Sequence, residues 1–183
     1  MKKLVLFGDS IRLIGYGTKL PALAEKEYEV WQPTENCRWC SYTFRLLHDY
    51  RNEIQDADVI HWNNGIWDVA DYFGDGPFVS VEEYVEYMKR IAKRLLSITD
   101  KVVFSTTTPT RAPNVHSKNE RIEQYNAAVV GPLSEMGVVI NDLNGFVNAN
   151  IDAFLKEDGC HLNDFGSEEC AKMILEKIRS IDG

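Results

Sequence analysis

Residues 3–7 form a short, nearly unbroken apolar run that stops at Gly8. A run of this kind, with no polar alternation, belongs to a strand covered on both faces. Ala57–Trp62, Lys101–Ser105 and Val138–Ile140 read the same way, and Tyr28–Trp31 makes one more short strand. Helix signals fall between the strands. Residues 18–27 predict a short helix with Thr18 as N-cap and Pro21 in its first turn. Ser41–Tyr50 has near-helical apolar spacing. Ser80 caps a helix to about Ile98, with Glu82 and Glu83 in the first turn where the dipole favours anions. Residues 117–136 predict a second long helix that Pro132 kinks near its end, and Asp164 is expected to cap a last helix through Ile178. Apolar strands alternating with helices predict a parallel sheet covered on both faces. Right-handed crossovers then bring the strand C-termini to one edge, where ligands bind in such folds.

At 183 residues the chain is expected to be one domain, 1–183. A net charge of −8 repels phosphate backbones and anionic bilayers, so neither nucleic acid nor a membrane is an expected partner. The apolar run after Lys2-Lys3 is too short for a signal segment, and no stretch approaches a membrane span. Cys37, Cys40, Cys160 and Cys170 are therefore expected as free thiols in a reducing, cytoplasmic compartment. Cys37-Arg38-Trp39-Cys40 is a Cys-x-x-Cys. It could serve redox chemistry or, with Cys160 and His161, a zinc ion; the preferred reading is loop and core thiols, with no metal or cofactor.

Three polar clusters can do chemistry. Gly8-Asp9-Ser10-Ile11-Arg12 follows the first strand, which places the Ser10 hydroxyl at the sheet edge. Gly8 is expected to let the backbone turn sharply, and the Ser10 N–H can face an oxyanion. Taken alone, Asp9 and Ser10 equally well satisfy donors in a turn. Asp158-Gly159-Cys160-His161 precedes the last helix. A serine needs a base to take its proton, histidine suits neutral pH, and a carboxylate folded back across Gly159 can orient the imidazole. Asn63-Asn64-Gly65 ends the third strand, where side-chain amides can donate to an oxyanion or simply form a turn.

In order and separation, Gly8-Asp9-Ser10 near the N-terminus and Asp158-Gly159-Cys160-His161 before the last helix resemble the SGNH hydrolases, also called the GDSL lipase/esterase family. The likeness spans nearly the whole chain. It implies a three-layer α/β/α sandwich with a flavodoxin-like, five-stranded parallel sheet of order 2-1-3-4-5. It also implies metal-independent ester hydrolysis with Ser10, Asp158 and His161 as the catalytic residues. The chain departs from the family in two places. Gly65-Ile66-Trp67-Asp68 puts Trp67 where the family keeps an oxyanion asparagine, so Asn63 or, preferably, Asn64 must supply that amide. The family's second-block glycine is missing, and Ser41, before a helix, is its best substitute. The run Glu35-Asn36-Cys37-Arg38, with Asn63-Asn64-Gly65, resembles a bacterial subgroup of that family.

Arg12, Arg38 and Arg111, with Trp39, Trp62 and Trp67, are the expected substrate contacts, because guanidinium forks and aromatic faces suit sugars or small carboxylates. The expected reaction is hydrolysis of a short acyl ester, such as acetyl, of a small carbohydrate-like alcohol. The alternative is a non-catalytic binding module on the same fold, with Trp67 marking lost activity. A phosphate-binding flavodoxin-like protein is disfavoured because the first loop lacks a glycine-rich cradle.

Overall fold

The computed structural model describes residues 1–182. Five parallel strands, β1 (Lys2–Phe7), β2 (Tyr28–Trp31), β3 (Val59–Asn63), β4 (Val102–Ser105) and β5 (Val139–Asn141), lie in the order β2-β1-β3-β4-β5. Leu4–Phe7 and all of β3 and β4 are buried, as strands covered on both faces must be. On one face α3 (Cys40–Asp49) packs on α5 (Val81–Leu96), and α5 on α6 (Asn119–Glu135). On the other, α2 (Leu20–Ala24) packs against α9 (Asp164–Asp182). This is a three-layer α/β/α sandwich. Shorter helices fill the loops: α1 (Ser10–Leu13), α4 (Arg51–Ile54), α7 (Leu143–Asn148) and α8 (Ile151–Phe154).

Several element ends differ from the sequence expectation, each for a local reason. Thr18 does not cap a helix. It closes a 3₁₀ turn, Tyr16–Thr18, by donating its hydroxyl to the Gly15 carbonyl at 2.8 Å, and Lys19 precedes α2. Helix α6 starts at Asn119, whose side chain both accepts from and donates to the Thr110 backbone at 2.8 Å, and it runs on through Pro132. Asn163, not Asp164, caps α9 by accepting from Gly166 N at 2.8 Å; Asp164 ion-pairs with Lys19. Helix α9 continues past Ile178 to Asp182, whose carboxylate is held by Lys101, Lys2 and Tyr28 at 2.7, 2.9 and 2.6 Å. Asp142 caps the unforeseen α7 through Gly145 N at 3.0 Å.

Candidate active site

The nucleophile candidate sits on the sharp passage from β1 to α1. Asp9 is the N-cap of α1 and accepts from Ile11 N at 2.9 Å, so it does the turn's structural work and leaves the Ser10 hydroxyl free. Gly8 matters for closeness rather than for backbone freedom: a β-carbon there would stand 2.0 Å from Asn63 Oδ1.

The candidate base comes from the loop between α8 and α9. Lys156 N donates to His161 O at 2.8 Å, and Leu155 pairs with Leu162, so the loop closes as a small antiparallel turn. Gly159 lies at φ +70°, where a β-carbon would also meet Arg111 O at 2.0 Å. That turn folds Asp158 back on itself. Its Oδ1 accepts from Cys160 N and His161 N, both at 2.9 Å, while its Oδ2 stands 2.7 Å from His161 Nδ1. His161 Nε2 then lies 3.0 Å from Ser10 Oγ. Burial alone would raise the Asp158 carboxyl, but the N–H groups of His161 and Cys160 and the imidazole outweigh it and hold the acid down at about 2. Asp158 is therefore a carboxylate at any working pH.

The remaining candidates fall into place less uniformly. Arg12 is fully buried. It donates to the carbonyls of Gly8, Pro33 and Glu35 at 3.2, 3.0 and 2.6 Å and to Gln32 Oε1 at 2.9 Å. Its fork is thus spent on the chain and is closed to substrate. Arg111 reaches the carbonyls of Leu155 and Lys156 at 3.4 and 3.3 Å and braces the histidine loop. Arg38 is exposed, over the Tyr42 ring at 5.0 Å. Trp62 is fully buried in the sheet against Phe104. None of these four lines the cavity at Ser10, whereas Trp67 does.

Of the two asparagines, Asn64 spends its amide hydrogens on Arg38 O at 3.0 Å and Thr43 Oγ1 at 2.9 Å, which turns it away from an oxyanion role. Asn63 accepts from Tyr16 OH at 2.6 Å, and its amide lowers the buried Asp9 acid. Burial still pushes Asp9 up to about 6, against the Ile11 N–H and that amide. Ser41 lies in the first turn of α3, where its N–H has no acceptor among the described residues; the same holds for Ser10 N. The turn is fixed by Asp68, a fully buried acid to which sequence reasoning assigns no role, whose Oδ1 accepts from Cys40 N at 2.9 Å. Cys37 N donates to Gly8 O at 3.1 Å and ties the same loop to the nucleophile turn. Burial pushes the Cys37 and Cys40 thiols up, the opposite of what a reactive or metal-binding thiol needs.

Ser10 and His161 open into a cavity of about 350 Å³. Trp67, Tyr72, His116 and Asn36 also line it. Tyr72 and His116 carry no periodic signal that would have marked them in the sequence. Among the described residues, no helix is long and apolar enough to cross a membrane.

No family model matches the chain. It is 30% identical, over 97% of its own length and 76% of the other's, to GDSL esterase/lipase WDL1 of Oryza sativa subsp. japonica. It is 28% identical to GDSL esterase/lipase CPRD49 of Arabidopsis thaliana, over 70% of the chain and 57% of that protein. Among solved structures, the lipase/acylhydrolase from Enterococcus faecalis superposes with a TM-score of 0.82 at 21% identity, covering 100% of this chain and 96% of that one. A catalytic mutant of Axe2, an acetylxylan esterase from Geobacillus stearothermophilus, gives 0.82 at 17% identity, covering 97% and 94%. Catalytic mutants of Axe2 replace a serine, an aspartate and a histidine by alanine.

Proposed function

Since the chain belongs to the GDSL esterase/lipase family and is a carboxylic ester hydrolase, we propose that it works through an acyl-enzyme on Ser10 and takes a short acyl ester of a carbohydrate-like alcohol. The observation that carries the mechanism is the line from Asp158 Oδ2 through the imidazole to Ser10 Oγ, with gaps of 2.7 and 3.0 Å.

In the first half-reaction His161 Nε2 takes the Ser10 hydroxyl proton as Oγ bonds to the ester carbonyl carbon. The imidazolium so formed keeps its Nδ1–H on the Asp158 carboxylate. The N–H groups of Ser10 and Ser41 are the proposed donors to the oxyanion; each such donor is worth roughly 10²–10³ in rate. Collapse breaks the bond to the alkoxy oxygen, which receives the proton from His161. In the second half-reaction water gives a proton to His161 and attacks the acyl carbon. The bond to Oγ breaks, Oγ recovers its proton, and the acid leaves.

A cavity of about 350 Å³ walled by Trp67 and Tyr72 fits a small acyl group beside one sugar-sized alcohol. Four unpaired, buried cysteines fit a reducing compartment, and we place the enzyme in the cytoplasm. The test is Ser10→Ala assayed on p-nitrophenyl acetate, with folding checked by circular dichroism. Turnover is expected to fall at least about 10³-fold; unchanged turnover overturns the assignment. Labelling of Ser10 by a fluorophosphonate separates this reading from a non-catalytic binding module.

A further inference from the structure

Seven large apolar side chains are well exposed among the described residues, and four of them, Tyr72, Phe73, Phe78 and Val115, lie on two neighbouring loops. Phe73 is 87% exposed. Scattered apolar exposure is ordinary, but a contiguous patch marks a binding surface.

The two loops beneath the patch are tied together. Asp71 N donates to His116 O at 3.0 Å, and His116 Nδ1 lies 3.1 Å from Asp71 O, which joins the two loops. Phe78 N donates to Ala70 O at 2.9 Å and Val79 N to Asp68 O at 3.0 Å, closing the base of the aromatic loop. Arg121 donates to Val69 O at 2.7 Å from below. The patch is also continuous with the cavity. Tyr72 and Trp67 line it with Ser10, Tyr72 leans on His116 with ring centres 5.0 Å apart, and Trp67 meets Trp39 at 6.2 Å. Trp39 in turn meets Phe78 at 4.9 Å.

The side chains from Ile66 to Val79 that carry charge at the surface are Asp71, whose carboxylate lies 3.7 Å from Arg121, and Asp75, on a protein of net charge −8. An anionic lipid surface or polyanion is repelled there, while a neutral ligand is not. The negative faces of aromatic rings attract the C–H faces of pyranose rings.

We infer that Tyr72, Phe73, Phe78 and Trp39 form further subsites for the alcohol side of the substrate, so that the ester is carried on a neutral oligosaccharide chain extending beyond the cavity. The inference rests on the ester-hydrolase reading above and deepens it.

Two measurements test it. With acetylated xylo-oligosaccharides of one to five residues, kcat/KM is expected to rise with length in the parent protein. The Phe73→Ser/Phe78→Ser variant should lose that rise, roughly 5–10-fold per ring removed. Phe165→Ser, an exposed apolar position on α9, is the control and should keep the rise. Independently, Ser10→Ala should bind unacetylated xylopentaose more tightly than xylose, read by tryptophan fluorescence. Equal kcat/KM at all lengths, equal binding of both sugars, or loss of an acyl-length preference instead of a sugar-length preference in the double variant overturns the inference. Failure of Ser10-dependent p-nitrophenyl acetate turnover strikes the ester-hydrolase reading itself, while the binding titration still decides the subsites.

Discussion

His161 Nε2 lies 3.0 Å from Ser10 Oγ although the two are 151 positions apart in the chain. The sheet makes this possible: β1 is an interior strand between β2 and β3, its C-terminal end opens the turn of Ser10, and the histidine loop before α9 returns to that same end. Each residue is set by its own local turn. Ser10 depends on the Asp9 cap, and His161 on the Asp158 carboxylate and on Gly159.

Replacing Asp158 by asparagine separates orientation from charge. The substituted side chain retains an oxygen for the N–H groups of Cys160 and His161, which bond to the carboxylate at 2.9 Å in the parent. Either it sets its amide against His161 Nδ1, which imposes the tautomer that cannot accept from Ser10, or it turns over and keeps the accepting tautomer at the cost of those two bonds. We expect kcat for p-nitrophenyl acetate to fall by about 10²–10⁴ with KM little changed. A loss confined to KM would show that Asp158 serves substrate binding instead.

Gly159→Ala tests the turn that carries the proposed base, His161. At φ +70° an alanine is strained, and its β-carbon would stand 2.0 Å from Arg111 O, a backbone atom that cannot swing away. The expected cost is about 1–3 kcal/mol of stability, together with a lower kcat because His161 lies two residues on. Thermal unfolding and initial rates on the same sample check both parts. An alanine variant with parental melting temperature and kcat contradicts this.

The meeting of Ser10, Asp158 and His161 was legible because each sits at an element boundary that the strand and helix patterns already marked. The parallel sheet followed from unbroken apolar strands; its order came only with the family resemblance. Arginine roles were not legible. The same guanidinium suits a ligand carboxylate or a set of backbone carbonyls, and nothing in the sequence distinguishes Arg12, wrapped in carbonyls, from an arginine facing a pocket. Asn64 was misread for a similar reason: its amide answers Arg38 O, whose residue adopts φ 52° in a loop without periodicity. The loop bearing Tyr72, Phe73 and Phe78 passed unnoticed because a rim has no repeat, only a place beside the cavity.

Arg12→Ala is expected to act on folding and not on substrate binding. It strips donors from the carbonyls of Gly8, Pro33 and Glu35 inside the protein. Buried acceptors left unpaired cost about 1–3 kcal/mol each before relaxation, so a total of roughly 3–5 kcal/mol is expected. Lysine should rescue little, since one ammonium cannot span three carbonyls and Gln32. Denaturant unfolding should show the loss, while KM for p-nitrophenyl acetate in the folded fraction stays at the parental value. A raised KM with parental stability restores Arg12 as a substrate contact.

Asp68 makes stability depend on pH in a direction opposite to that of most carboxylates. Burial pushes its carboxyl from 3.8 up to about 7, against the hydrogen bonds from Cys40. Between those values the folded protein holds a proton that the unfolded chain has released, so stability falls as pH rises through that window and levels off above it. Asp9, raised to about 6, slopes the same way. Buried His61, lowered from 6.5 to about 3, slopes the other way. Asp68→Asn keeps an oxygen for Cys40 N but carries no titrating proton, so Asp9 and His61 largely cancel when the two proteins are compared. The variant should therefore gain on the parent as pH rises from 4 to 7, by up to about 1.4 kcal/mol for each pH unit crossed. Urea unfolding of both proteins from pH 4 to 8 measures the gain. A difference that stays constant with pH, or shrinks as pH rises, shows that the Asp68 carboxyl does not hold a proton in the folded state near neutrality.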